Sequence, residues 1–385
     1  MTVAECLQRI REMEPAVRAW VEVAPRPAAD RGPLAGWPFG AKDIFETRGM
    51  ATEYGSPLFA GRKGEYDAAI IAQLCQLGAV LLGKTHTTAF AYFDPAPTRN
   101  PHHLEHTPGG SSSGSAAAVA CGMARFALGT QTAGSIIRPA SYCGVTGFKP
   151  SFGVLPREGV LPFAPSLDTV GFFTRSAADL AVIWRALGHN VPDQAELLLR
   201  VPPRIPAVED HMQAAFEHTL ARLGASGVRI DPYELPADWQ GMVNAVRDIQ
   251  AYEGARSLEP LWSRHGERLG LKLADLIRYG LAMPESRYRE ALALLAEAAQ
   301  RLRGAGFIAT PAAPGRAPRG LASTGAPALN SPWTGTGRPA ISLPMPVPGL
   351  PMGLQISADH GEDGALIALG CQIERILFAE KGRPG

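Results

Sequence analysis

The chain has 385 residues, 46% of them hydrophobic and 19% charged, with a formal net charge of +1 at pH 7. That is enough for one large domain or two ordinary ones around an ample core, and such an even charge balance gives no electrostatic footing for nucleic acid or an acidic membrane surface. No run of about 18 uncharged apolar residues is present to span a bilayer, the opening residues lack a signal-peptide layout, and Cys6, Cys75, Cys121, Cys143 and Cys371 form no CxxC pair, so reduced thiols in a cytoplasmic protein are expected, with neither disulfides nor a metal cluster.

Taken in chain order, Thr2 and Glu5 make a capping-box pattern that opens a short helix to about Met13. Proline-rich sequence from Pro25 to Pro38 then brings the chain to Lys42. Asp67–Leu77 predicts a helix and the apolar run Ala79–Leu82 a strand. Ser115–Gly122, rich in alanine, predicts another helix, and Ser176-Ala-Ala-Asp179 a second capping box opening a helix to about Leu187. From about Asn190 to Gly304 the character changes, with helical periodicity at Val208–Leu223 and Ser286–Leu302. Thr310–Gly353 is dense in proline and glycine around a strand-like Ala340–Leu343, and a last helix is expected over Ala365–Phe378. Alternating helices and short strands predict an α/β fold with one sheet covered on both faces.

Two familiar patterns occur here, and local context argues against both. Gly78-Ala-Val-Leu-Leu-Gly83-Lys84-Thr85 matches the phosphate-loop pattern letter for letter. A phosphate loop needs turn-forming residues between its glycines so that N–H groups converge, yet Ala-Val-Leu-Leu is strand material and the helix precedes it. Gly110-Ser-Ser-Ser-Gly114 fits the nucleophile elbow. No strand feeds it, since Pro108 and three histidines lie just upstream, and none of His189, His211, His218, His265 and His360 sits in a distinctive setting for a triad.

Two small-residue segments carry more chemistry. Gly109-Gly-Ser111-Ser-Ser-Gly-Ser115 and Gly129-Thr-Gln-Thr-Ala-Gly-Ser135 lie downstream of Gly40-Ala-Lys42-Asp43. Together they hold a base, a hydroxyl that can pass a proton, a second hydroxyl that can attack, and bare backbone N–H groups for an oxyanion. That is a hydrolase inventory without histidine.

These segments resemble the amidase signature family, whose GGSSxGSAAAVA and GTDTxGSxRxPAxxCGxxGxKP patterns are matched by Gly109–Ala120 and Gly129–Pro150. Gly36–Asp43, Asp67–Phe90, Asn100-Pro101, Ser166–Gly171 and Gly349–Gln355 extend the likeness over nearly the full length. The resemblance implies a single large mixed β-sheet covered by helices on both faces, formed as one domain over 1–385. Within it, 1–189 would carry the catalytic motifs, 190–309 a variable helical region and 310–385 a return to the core. It also implies Lys42 as general base, Ser111 as a bridging serine after a cis peptide bond, Ser135 as nucleophile, and an oxyanion hole from the N–H groups of Thr132, Ala133, Gly134 and Ser135. No cofactor and no metal are implied. A serine hydroxyl attacks well only when a neighbour takes its proton, and a lysine can do so only when neutral, which calls for its pKa to fall from ~10.4 to near 7.

Two departures bear on substrate. Gln131 stands where the family usually has aspartate, and the arginine often two residues past the nucleophile is three past it, at Arg138. This resembles the branch that includes malonamidase, which implies that Arg138, with Gln131 as a further candidate, binds a carboxylate or carbonyl of a small linear half-amide or ureide; the alternative for Arg138 is a structural guanidinium tying loop carbonyls together. Tyr252, Trp262, Tyr279 and Trp333 are candidates for the pocket wall, with a core role as their alternative. The expected activity is hydrolysis of a linear, non-peptide C–N bond through an acyl-enzyme, releasing ammonia or an amine. The alternative is the amidase subunit of a larger assembly, like the glutamine-hydrolysing subunit of transfer-RNA amidotransferases. A small-molecule amide is the expected partner, with a homodimer or partner subunit possible; nucleic acid and membrane are not expected.

Overall fold

The computed structural model describes residues 1–379 apart from 28, 30, 204, 206 and 236. The capping box forms as expected: Thr2 accepts from the Glu5 N–H, Glu5 reaches back, and α1 (Val3–Val17) runs a turn beyond Met13 in spite of Pro15. β1 (Trp20–Val23) and β2 (Pro38–Lys42) follow. α2 (Ala69–Gln76) starts later than expected because Asp67 pairs with Arg26 at 2.8 Å and accepts from the Arg48 N–H instead of capping the helix. β3 (Val80–Thr85) is longer than its apolar run, since Gly83 lets the Glu22 carbonyl of β1 approach where a Cβ would collide. The phosphate-loop pattern is therefore interior strand.

α3 (Ser113–Ala120), β4 (Phe126–Gln131), α4 (Ile137–Cys143), β5 (Thr146–Lys149), β6 (Thr169–Thr174) and α5 (Ala177–Ala186) continue the chain. At α5 only half of the second capping box forms: Ser176 accepts from the Asp179 N–H, while the Asp179 carboxylate is drawn to Arg125 at 2.9 Å. The middle region supplies α6 (Asp210–Ala225), α7 (Trp239–Ser257), α8 (Glu259–His265), α9 (Leu271–Ala282) and α10 (Glu285–Arg301). It is not purely helical, because β7 (Leu198–Val201) and β8 (Arg229–Pro232) extend the main sheet. β9 (Ile308–Pro311), α11 (Ser331–Gly335), β10 (Ala340–Pro344), β11 (Gly353–Ser357) and α12 (Asp363–Phe378) complete the described chain.

Among the described residues, eleven strands form one mixed sheet in the order β1-β3-β2-β4-β6-β5-β10-β11-β9-β7-β8. β2 pairs parallel with both β3 and β4, and β7 parallel with β8 and β9, while the centre is antiparallel. Every residue of β4 is buried, so the sheet must be covered on both faces. Ala127 and Phe173 face a cluster built from α3 and α4. Phe126, Leu128 and Phe172 face the larger core that includes Ile70, Ile71 and Leu74 of α2. The candidate catalytic residues lie at the ends of β2 and β4, which adjoin in this sheet.

Candidate active site

Lys42 is the last residue of β2, wholly buried between β3 and β4. Its Nζ donates to Ser111 Oγ and to Thr130 Oγ1, each at 2.7 Å. Burial pushes its pKa down to about 7, against the charge of Asp168, which favours the ammonium. Near neutral pH a sizeable share of this amine is therefore uncharged and able to take a proton.

Ser111 follows the cis Gly110–Ser111 peptide bond. The serines after it are engaged by backbone: Ser112 Oγ donates to the Thr130 carbonyl, Ser113 Oγ to that of Gly109 and Ser115 Oγ to that of Leu128, at 3.2, 2.7 and 2.8 Å. Ser111 alone of the four meets the lysine. The residues before Gly110 form no strand, so the elbow pattern has no elbow geometry.

Ser135 sits half-buried in the turn from β4 into α4. Among the described residues no hydrogen bond joins Ser135 to Ser111, and the N–H groups of Thr132, Ala133, Gly134 and Ser135 donate to no other group of the chain. Four successive free donors beside a half-buried hydroxyl suit a developing oxyanion. The turn is shaped from behind by Gln131, fully buried, whose Oε1 accepts from the Ile136 and Ile137 N–H groups at 2.8 and 3.0 Å. Gln131 Nε2 donates to Thr334 Oγ1 of α11 at 3.0 Å, and that hydroxyl donates to the Ala133 carbonyl at 2.8 Å. Gln131, expected as a substrate contact, has its amide engaged by the chain on both its oxygen and its nitrogen, an arrangement that braces the turn.

Arg138, 2% exposed, ties the two serine segments together. Its Nη2 donates to the Gly110 carbonyl at 2.7 Å and to Thr324 Oγ1 at 3.2 Å, and its own N–H donates to the Gly134 carbonyl at 3.1 Å. Nε and Nη1 are buried without a partner, and the Phe93 ring lies 5.7 Å from the guanidinium carbon. Burial pushes this group down to about 10, still a cation at neutral pH. One side of the guanidinium is structural and the other holds open donors.

Three residues with clear positions here had no role assigned from sequence. Thr130 is the second partner of Lys42; Thr334 braces the turn between β4 and α4; Asp168 accepts from Thr132 Oγ1 at 2.6 Å and from the Phe163 and Ala164 N–H groups at 2.8 and 3.0 Å. Thr130 and Asp168 both lie inside matched motifs, Gly129–Pro150 and Ser166–Gly171, whereas Thr334 left no sequence signal. Thr130 and Asp168 line a cavity of about 690 Å³ walled by Leu155, Val160, Leu161 and Val170. None of Tyr252, Trp262, Tyr279 and Trp333 lines it: Tyr252 stacks on Tyr288, Tyr279 donates to Asp248, and Trp333 is wholly buried against Trp239. Among the described residues, no three His, Cys, Asp or Glu gather as metal ligands, and no helix is long and apolar enough to cross a membrane.

This geometry is accompanied by broad similarity to known proteins. The family model described as Amidase matches residues 2–367. The A subunit of the glutamyl-tRNA(Gln) amidotransferase of Roseiflexus sp. (strain RS-1) is 33% identical over 349 residues, 78% of this chain and 66% of that protein. The chain thus spans just under two thirds of the length of that relative and of its Roseiflexus castenholzii counterpart. A crystal structure described simply as that of an amidase superposes with a TM-score of 0.86 at 30% identity, covering 98% of this chain and 96% of the other. The corresponding A subunit of the Thermotoga maritima glutamyl-tRNA(Gln) amidotransferase superposes with a TM-score of 0.85 at 26% identity, covering 100% and 98%. The fold, the motif order and the family match agree, and the chain belongs to the amidase family.

Proposed function

We propose that the chain is a serine amidohydrolase acting on a small linear, non-peptide amide that carries a carboxylate. Lys42 takes the proton of Ser135 through Ser111, Ser135 Oγ adds to the amide carbon, and the resulting oxyanion is met by the free N–H groups of 132–135. The proton returns through Ser111 to the departing nitrogen, the C–N bond breaks, and water hydrolyses the ester left on Ser135. The observation that supports the anionic substrate is Arg138, a buried cation with two unpartnered donors beside the relay serine. An unpaired buried charge is costly, and a substrate carboxylate would satisfy it. The test is Arg138→Ala: KM for an anionic amide should rise far more than KM for a neutral amide of equal size. Equal losses would reduce Arg138 to its bond with the Gly110 carbonyl.

A second reading is favoured by the relatives named as amidotransferase subunits: the same machinery would hydrolyse glutamine for a partner subunit. Purified chain should release ammonia or an amine from simple half-amides unaided and ignore glutamine. Glutamine hydrolysis that appears only with a partner would favour the second reading instead.

A further inference from the structure

Two loop segments meet at the guanidinium of Arg138. The Phe93 ring lies 5.7 Å from its central carbon, and Thr324 Oγ1 accepts from Nη2 at 3.2 Å. Both segments depend on neighbours for their shape. Phe90 and Ala91, just before Phe93, are buried with φ of 50° and 59°, a left-handed conformation that residues with a Cβ hold only when their surroundings impose it. Among the described residues, the main chain of 321–324 makes a single hydrogen bond, through the Ala322 carbonyl.

The same side chain of α9 reaches both. Lys272 Nζ donates to the Phe93 carbonyl at 3.2 Å and to the Ala322 carbonyl at 2.7 Å. The contact is reciprocal at Phe93, because the carboxylate of the next residue, Asp94, accepts from the Lys272 and Leu273 N–H groups at 3.4 and 3.1 Å. Asp94 thereby serves the first turn of α9, whose N-cap Gly270 has no side chain to do so. A cation in the first turn of a helix opposes the helix dipole, so the stability of α9 does not account for a lysine at this place. Among the described residues, both hydrogen bonds of its ammonium go to neutral carbonyls, and these come from two segments far apart in the chain. An ammonium with three donors can bridge them.

We propose that Lys272 is a positioning residue for substrate binding at Arg138. By clasping the Phe93 and Ala322 carbonyls it holds the Phe93 ring and the Thr324 hydroxyl around the guanidinium, whose Nε and Nη1 are buried without a partner. This rests on the reading of Arg138 as the group that binds the substrate carboxylate, and deepens it. A guanidinium pairs with a carboxylate through a planar fork of donors, so a displacement of about an ångström spoils the match. The middle region of the chain, which supplies none of Lys42, Ser111 and Ser135, thus sets how firmly the acid end of the substrate is held.

The experiment measures KM and kcat of purified full-length chain on a dicarboxylic half-amide and on a neutral amide of equal size. Lys272→Met should raise KM for the half-amide about tenfold, while its kcat and both constants for the neutral amide change less than about threefold. Lys272→Arg, which keeps two donors within reach, should recover most of the loss. In an Arg138→Ala background, Lys272→Met should add less than about threefold to the half-amide KM, because the group it positions is gone. The tenfold gap should persist in about 0.5 M salt; a gap closed by salt would make Lys272 a distant charge and overturn the clasp. Should Lys272→Met fold poorly, Lys272→Gln, neutral and too short to reach both carbonyls, carries the same expectation. Equal effects on the two amides, or none, overturn the clasp alone, provided Arg138→Ala still discriminates between them. An Arg138→Ala variant that does not discriminate overturns the carboxylate reading and the clasp with it. A folded wild-type chain that cleaves neither amide and takes no fluorophosphonate label on Ser135 overturns the amidohydrolase reading as a whole.

Discussion

The hydroxyl of Thr132 donates to Asp168 Oδ1 across 2.6 Å, tying the turn between β4 and α4 to the start of β6. The other oxygen of the same carboxylate holds the Phe163 and Ala164 N–H groups, so one side chain joins the turn to the cavity wall. Burial pushes the Asp168 carboxyl up to about 6, against these three hydrogen bonds and the nearby Arg157.

The charge of Asp168 also favours the protonated form of Lys42. Asp168→Asn should therefore lower the lysine's pKa and move the acid limb of kcat/KM to lower pH, by about one unit. Thr132→Val removes the hydrogen bond but leaves the charge, so it should lower plateau kcat without moving that limb. Full pH–rate profiles of both variants check this; an unmoved limb in Asp168→Asn would assign the residue a purely structural part.

Lys42→Met should remove most activity while raising stability. With the folded amine held at about 7 and the unfolded one near ~10.4, the unfolded chain binds the extra proton between those values. Wild-type stability therefore falls as pH drops through that window, by roughly 4 kcal/mol from this group, and levels off below 7. The stability gap between Lys42→Met and wild type should widen from pH 9 to pH 7 in urea titrations, because every other titrating group is common to both. Wild-type kcat/KM should fall about tenfold per unit below the lysine's pKa, since a protonated amine accepts nothing.

Gln131→Ala should strip the Ile136 and Ile137 N–H groups of their acceptor and Thr334 of a donor. Buried donors left unpaired cost about 1–3 kcal/mol each. The expected result is a lower melting temperature and a kcat loss of about a hundredfold or more, as the oxyanion donors drift. KM for small amides should change little, because Gln131 does not face the substrate; a rise confined to KM would contradict the positioning role.

Lys84→Met tests the phosphate-loop pattern. Lys84 Nζ is buried, donates to the Phe45 and Ala51 carbonyls at 2.8 Å each, and pairs with Asp43 at 3.4 Å. Its loss leaves the buried Asp43 carboxylate without its cation, held by the Glu53 and Gly55 N–H groups alone, at a cost of about 3–5 kcal/mol. Thermal melts should show that loss, and Mg-ATP should shift neither wild type nor variant. A wild-type shift would restore the nucleotide reading.

The local pattern of the chain was enough for the α/β class, the capping box at Thr2 and most helices, because caps and hydrophobic periodicity act within a few residues. The family resemblance carried by its ordered motifs proposed Lys42, Ser111 and Ser135 as a set, and the fold joins the first two by a hydrogen bond. Interactions between distant segments decided the rest. Asp67 left its helix end for Arg26, and β7 and β8 joined the main sheet from a stretch that reads as helical. Which of four neighbouring serines meets the lysine depended on where the Gly109, Leu128 and Thr130 carbonyls fell. Gln131 is held inward by the nearby Ile136 and Ile137 N–H groups together with Thr334, some two hundred residues away. Sequence spacing carries the chemistry available to a site; burial and long-range hydrogen bonds determine which group is neutral, which donor is free and which space is left open.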